Sequence, residues 1–249
     1  MRYFFFVFLM LYAMGCAALP TKYPCENEES VELMDDEQNR AIPIEIYPPV
    51  GLAENAYTKV ALLSVGYNGS NTEYTFLARA LTRKGVLVVG IQHEQPEDPP
   101  IASSGDIYSA RMPVWERGVK NLKFVRAYLN TRFPKTKTAK WLLLGHSNGG
   151  DISLHYAQKF PSEINAVITF DHRRFPIPRQ VHPPVLSFRA DEFEADKGVL
   201  PSAEEAAQFG TQVIWLKNTR HNDLRDAGRA SLKAALVRDI EQFLIAIRF

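Results

Sequence analysis

From residue 40 onward, short apolar runs alternate with longer stretches whose apolar residues recur at helical spacing. Residues 60–65, 86–91, 141–144, 166–170, 185–188 and 212–216 carry no charged position. Runs of that length suit strands buried on both faces of a parallel sheet. Ile42, Ile44 and Ile46 alternate with other residues before Pro48-Pro49, which predicts a further strand ended by prolines. Helical spacing is found over 74–82, 114–129, 152–159 and 230–247. Strand and helix therefore alternate along the chain. The fold class this predicts is α/β, a mostly parallel sheet with helices on both faces and right-handed crossovers. Proline-marked loops after Ile91 and around residues 176–184 fall where such a fold builds its pocket.

The first 39 residues read differently. Met1-Arg2 and the apolar run from Tyr3 to Met14 have the charge and length of an export signal, too short to span a bilayer comfortably. We expect residues 1–18 to be a signal peptide or lipoprotein leader and the protein to be exported, as a periplasmic or secreted protein or a membrane-anchored lipoprotein. Ala13-Met14-Gly15-Cys16 resembles a bacterial lipobox, with Ala13 where leucine is commoner, so membrane attachment through an acylated Cys16 is one reading. The other is plain secretion, in which Cys16 and Cys25 are able to pair in an oxidising compartment. Residues 19–39 are expected as a linker, the acidic stretch from Glu26 to Gln38 as linker or edge segment, and residues 40–249 as one catalytic domain.

A chain of 249 residues, 46% hydrophobic, suffices for one well-buried core. Its 29 basic and 28 acidic side chains leave a formal charge of +1. No strong field selects nucleic acid, so a small-molecule substrate is the simpler expectation.

The chemistry gathers at Gly145-His146-Ser147-Asn148-Gly149. A serine hydroxyl reacts only when it is exposed, unobstructed and paired with a base. A G-x-S-x-G turn between a buried strand and a helix meets the first two needs, and the run 141–144 before it with the helical stretch after Gly150 supplies that context. Ser147 is the expected nucleophile, and His146, at a variable position of the motif, is given a structural role. In this fold the order is nucleophile, acid, histidine, which selects His221, beyond the last strand and before the final helix. Two backbone N–H groups are needed for an oxyanion. Asn148 follows the nucleophile, and Tyr67 lies on the turn Ser64-Val65-Gly66-Tyr67-Asn68-Gly69 after a buried strand. For the acid, order alone leaves both Asp171 and Asp191 open. His93 beside Glu94 and His172 beside Asp171 are isolated pairs without metal-ligand spacing, so no metal or organic cofactor is expected.

Over residues 60–221 the chain resembles the platelet-activating-factor acetylhydrolase group of α/β hydrolases and the dienelactone-hydrolase-type serine esterases. The resemblance is carried by Gly66-Tyr67, Ile91-Gln92-His93, Gly145-His146-Ser147-Asn148-Gly149-Gly150, and Asp171 with Phe175-Pro176 downstream. It implies a triad of Ser147, Asp171 and His221, since that group takes its acid after the earlier strand. The sequence departs from the group at Val65-Gly66, where a histidine usually precedes the glycine. The activity implied is ester hydrolysis through an acyl-enzyme. The alternatives are a lipase or phospholipase acting at a membrane, and a hydrolase-fold binding protein without activity.

Overall fold

The computed structural model describes residues 28–249. The leader, Cys16 and Cys25 lie outside the described residues. The parallel strands are β3 (Lys59–Ser64), β4 (Val86–Ile91), β5 (Trp141–His146), β6 (Ile164–Phe170), β7 (Val185–Ala190) and β8 (Gln212–Leu216). β1 (Glu29–Asp35) and β2 (Arg40–Tyr47) form an antiparallel hairpin whose second strand pairs antiparallel with β4. The order across the sheet is β1-β2-β4-β3-β5-β6-β7-β8. The stretch expected as linker or edge segment thus includes the edge strand itself, and the sheet begins at Glu29 rather than near Arg40. Along β1 the inward positions are Glu29, Val31, Leu33 and Asp35, of which Leu33 alone is both apolar and buried, and outward Met34 is more than half exposed, so the strand lacks the apolar run that marks the parallel strands.

The described residues form five α-helices: α1 (Thr75–Thr82), α2 (Ile107–Arg132), α3 (Asn148–Lys159), α4 (Ala203–Phe209) and α5 (Ala230–Ala246). Alternate residues of the strands face opposite sides and build two cores. Val60, Leu62, Leu87, Val89 and Leu143 meet Trp115 and Leu122 of α2 and Leu154 of α3. Ala61, Leu63, Val88, Leu142 and Leu144 meet Leu77 and Leu81 of α1 with Leu236 and Ile240 of α5. Each fully buried aliphatic side chain contributes about 1.5–3 kcal/mol relative to exposure, which is why the strands tolerate so few polar residues. α2 and α3 touch closely at Gly118, where a Cβ would come within 2.6 Å of Ile152.

Helix α2 begins seven residues earlier than its apolar period predicts, because Asp106 caps it by accepting from Ser109 N–H at 3.1 Å, and Pro113 is accommodated in its second turn. α4 buries none of its residues, so it has no apolar period to read; it is set by a capping box of Ser202 and Glu205 and closed by left-handed Gly210. No helix of the described residues is long and apolar enough to cross a membrane.

The chain passes from β3 to β4 on one side and later returns to place β5 on the other. A crevice opens beyond the carboxyl ends of two strands where the winding reverses. Here those ends carry the turn at residues 65–69 and the turn at Ser147.

Candidate active site

Ser147 sits at the junction of β5 and α3 with φ 54° and ψ −124°, a conformation that a residue with a side chain adopts only under constraint. The constraint is visible. Ser147 N–H donates to Phe170 O at 2.9 Å, and its own carbonyl accepts from Gly150 and Asp151 at 2.9 and 3.1 Å. The glycines on either side permit close backbone approach: a Cβ at Gly145 would lie 2.3 Å from Gly149 O, and one at Gly149 would lie 2.2 Å from Ser64 O. The turn therefore presses against the end of β3 with no side chain between.

The preceding loop is equally close. A Cβ at Gly66 would lie 3.3 Å from the Ser147 Cβ and 2.9 Å from His146 Nδ1. Tyr67 follows immediately, and among the described residues its N–H donates to no backbone carbonyl. Asn148 N–H lies in the first turn of α3, where N–H groups have no intrahelical acceptor. The Asn148 side chain is buried and held at both ends: Trp115 Nε1 donates to its Oδ1 at 3.0 Å, and its Nδ2 donates to Glu94 Oε1 at 2.7 Å.

Asp171 ends β6 with φ 49° and is fully buried. Its Oδ2 meets His221 Nδ1 at 2.6 Å, while Oδ1 accepts from Ala190 N–H at 3.1 Å and lies 2.9 Å from a guanidinium nitrogen of Arg189. Arg189 is itself fully buried and also donates to the His172 carbonyl. Burial disfavours its charged form, and the Asp171 carboxylate opposes that effect. Asp191, the other candidate, is exposed and does not touch the imidazole. Its two oxygens accept from Asn218 N–H at 2.6 Å and Thr219 N–H at 2.9 Å. Neighbouring Glu192 accepts from His221 N–H at 2.8 Å. These two carboxylates build the histidine's loop rather than bonding its ring.

His146 is buried, with Nδ1 at 2.8 Å from the Tyr74 hydroxyl and Nε2 at 3.1 Å from the His221 carbonyl. Its ring centre lies 4.5 Å from that of His221. Burial holds its pKa well below the ordinary histidine value, helped by the nearby His221 and Arg225, so it is a neutral spacer between the Ser147 turn and the His221 loop. Among the described residues no hydrogen bond joins the Ser147 hydroxyl to His221. Contacts of this kind are often loose without substrate and tighten when it binds. His93 is also buried, pushed down to about 3 by desolvation, and its Nε2 bonds Ser64 Oγ at 2.9 Å just before the 65–69 turn.

The histidine loop is tied to the opposite side of the cleft. Asp226 accepts from Thr75 N–H at 2.9 Å and Phe76 N–H at 3.0 Å, capping the start of α1, and Arg225 pairs with Glu73 at 2.8 Å. Sequence reading considered Arg189 as a salt-bridge partner of either aspartate, and Asp171 is the one it meets. It did not find Trp115 or Asp226 and left Glu94 in an isolated pair with His93; each acts through a partner at least 33 residues away, a separation no local spacing reveals.

Comparison with family models finds no match, and comparison with curated proteins finds none either. Solved structures do resemble the chain. A dienelactone hydrolase from Anabaena variabilis aligns with a TM-score of 0.59 at 18% identity, over 88% of this chain and 97% of its own. A thermophilic esterase from Thermogutta terrifontis with butyrate bound aligns at 0.65 and 12% identity, over 90% and 95%. The form of Thermogutta terrifontis esterase 2 phosphoramylated by tabun aligns at 0.60 and 13% identity, over 92% and 98%. With the eight-stranded sheet, its strand order and the turn at Ser147, these likenesses establish that the chain has the α/β-hydrolase fold.

Proposed function

We propose that this protein is a serine hydrolase that cleaves a carboxylic ester, with Ser147 as nucleophile, His221 as base and Asp171 as the acid behind it. The observation that carries the reading is the 2.6 Å contact of Asp171 Oδ2 with His221 Nδ1 beside a strained serine turn.

In this reading the Ser147 hydroxyl attacks the ester carbonyl while His221 Nε2 takes its proton. Asp171 holds Nδ1–H and stabilises the imidazolium. The N–H groups of Tyr67 and Asn148 receive the negative oxygen of the tetrahedral intermediate. Collapse expels the alcohol, which leaves with the proton from His221. Water then repeats the sequence on the acyl-enzyme, releasing the acid and restoring Ser147. The chemistry requires no metal or organic cofactor. The leader and lipobox-like Cys16 add the proposal that the enzyme works outside the cytoplasm on a small-molecule or lipid ester, which mass spectrometry of the mature N-terminus tests.

A fluorophosphonate probe is expected to label the purified protein at Ser147, and Ser147→Ala to abolish labelling and lower p-nitrophenyl acetate turnover by about 10⁴-fold or more. A folded wild-type protein that is neither labelled nor active would falsify the reading.

A further inference from the structure

The two ends of the sheet differ in charge. At the carboxyl ends of the parallel strands, around Ser147, the loops carry exposed Glu97, Asp106, Asp191, Glu192 and Glu194. The amino ends start at residues such as Lys59 and Val86, and the segments that lead into them are basic. Arg83 and Lys84 follow α1, Lys135, Lys137 and Lys140 lie on and just after the short helical turn Pro134–Thr138 before β5, and Arg248 follows α5; all six are exposed. The carboxylates nearby are already taken. Glu28 lies 3.8 Å from Arg79, Glu29 and Glu54 lie 2.6 and 3.8 Å from Arg132, Glu241 lies 3.3 Å from Lys84, and Glu163 pairs with Arg126. Arg83, Lys135, Lys137, Lys140 and Arg248 have no carboxylate partner among the described residues.

Aliphatic side chains stand among these cations: Val50 is 65%, Leu52 43% and Ile245 75% exposed. Val50 N–H donates to Thr82 O at 3.1 Å, and a Cβ at Gly85 would lie 3.6 Å from Leu52 Cδ1, so both flank the end of α1. Ile245 shares a hollow of about 190 Å³ with Lys59, Lys84 and Val86. The rings of Tyr57 and Phe133 meet at 5.1 Å, which joins the loop after Leu52 to the segment carrying the three lysines.

Cations interleaved with exposed aliphatic groups suit the headgroup layer of a bilayer, where the cations meet lipid phosphates and the aliphatic groups enter the acyl boundary. A nucleic acid would engage the cations and leave the aliphatic groups in water. The entry of the chain points the same way. Glu28 and Glu29, the first described residues, are held at this end by Arg79 and Arg132, and Cys16 precedes Glu28 by twelve residues, an extended reach of about 40 Å. Acylation of Cys16 would tether this end, and not the Ser147 end, to the membrane.

We infer that the basic end of the sheet is a docking surface for a bilayer containing anionic phospholipids. Docked in this way, the protein turns the Ser147 cleft to water and takes its substrate from the aqueous phase. The inference stands apart from which bond Ser147 cleaves.

The test follows amide hydrogen exchange of the full-length protein mixed with phosphatidylcholine vesicles that do or do not contain phosphatidylglycerol. Phosphatidylglycerol is expected to slow exchange over residues 50–57, 83–86 and 134–140 and to leave 65–69 and 191–196 unchanged, and added salt is expected to reverse the slowing. The combined variant Lys135→Gln, Lys137→Gln, Lys140→Gln is expected to lower partition onto these vesicles by about tenfold or more. Ile245→Gln is expected to lower it by a smaller factor; all four positions are exposed, so neither variant disturbs the core. Binding through the leader alone would leave the basic segments unprotected and the lysine variant unaffected, and overturns the surface. Slowing at 65–69 and 191–196 in place of the basic end also overturns it. So does equal slowing by a short DNA duplex, or slowing without vesicles that grows with protein concentration, which would give the face to a second copy.

Discussion

Asp171 and Asp191 directly follow adjacent parallel strands, β6 and β7, twenty residues apart, and each bonds the loop that carries His221. Their surroundings are opposite. Asp171 has no exposed surface, a buried guanidinium on one oxygen and the imidazole on the other. Asp191 is exposed, and its oxygens are occupied by backbone N–H groups of Asn218 and Thr219. A buried carboxylate without a cationic partner is expensive, and Arg189 offsets that expense at Asp171. An exposed one is solvated already, and its hydrogen bonds shape a loop. In the proposed mechanism the same residue type after neighbouring strands therefore serves chemistry in one place and scaffolding in the other, and burial is what divides the roles.

The division breaks most sharply under amide substitution. Asp171→Asn is expected to lower kcat on p-nitrophenyl acetate by about 10³–10⁴-fold while the protein stays folded, because the amide no longer favours the Nδ1–H tautomer or balances an imidazolium. Asp191→Asn is expected to change kcat by less than about tenfold, since an amide oxygen still accepts from the loop. Steady-state kinetics on the two variants decides the matter, and a reversed order of effects would reassign the acid.

Removing the counter-charge probes the same contrast through stability. Arg189→Met leaves Asp171 buried without its guanidinium and is expected to cost about 3–5 kcal/mol in urea denaturation. Asp191→Ala, which gives up hydrogen bonds at the surface, is expected to cost about 1 kcal/mol. Equal losses would show that burial is not what separates the two sites.

A further buried carboxylate, Asp151, lies on the first turn of α3. It is buried and accepts from Arg174 and Phe175 N–H groups at 3.1 and 2.9 Å, tying α3 to the loop after Asp171. Desolvation pushes its carboxyl up to about 6 from 3.8. A carboxyl raised on folding favours the native state in its protonated form, a contribution present below about pH 4 and lost as pH rises through about 6. Asp151→Asn keeps the acceptor without the charge. Its Tm relative to wild type is expected to rise between pH 4 and pH 7, by the equivalent of about 3 kcal/mol at most. A difference that does not vary over that interval would contradict the assignment.

Much of this architecture was legible in the chain. Uncharged runs mark six of the eight strands among the described residues, and in five of them the run is buried on both faces; the run 212–216, expected to be buried as well, forms the edge strand β8, which has no buried residue and leaves Trp215 59% exposed. The G-x-S-x-G motif, with strand and helix at its flanks, placed the Ser147 turn at the end of a buried strand, and the structure puts that end where the sheet's winding reverses. What escaped were features without an apolar period, such as the edge strand β1 and the solvated helix α4, and features made by distance. Asp171 and Arg189 meet across neighbouring strands; Trp115 and Glu94 clamp Asn148 from separate elements. Order along the chain left the acid open between two aspartates because order carries no information about which one the packing encloses.

The cap that Asp226 places on α1 ties the loop bearing His221 to the helix that follows the Tyr67 turn. The proposed base and one proposed oxyanion donor thus share an anchor, although about 150 residues separate them. With both loops fastened at one point, the cleft has the build of a clasp rather than of a fixed wall with a hinged lid. In the proposed mechanism, heat or denaturant that frees the clasp is expected to remove proton transfer and oxyanion stabilisation together, so that activity is lost before the sheet beneath yields.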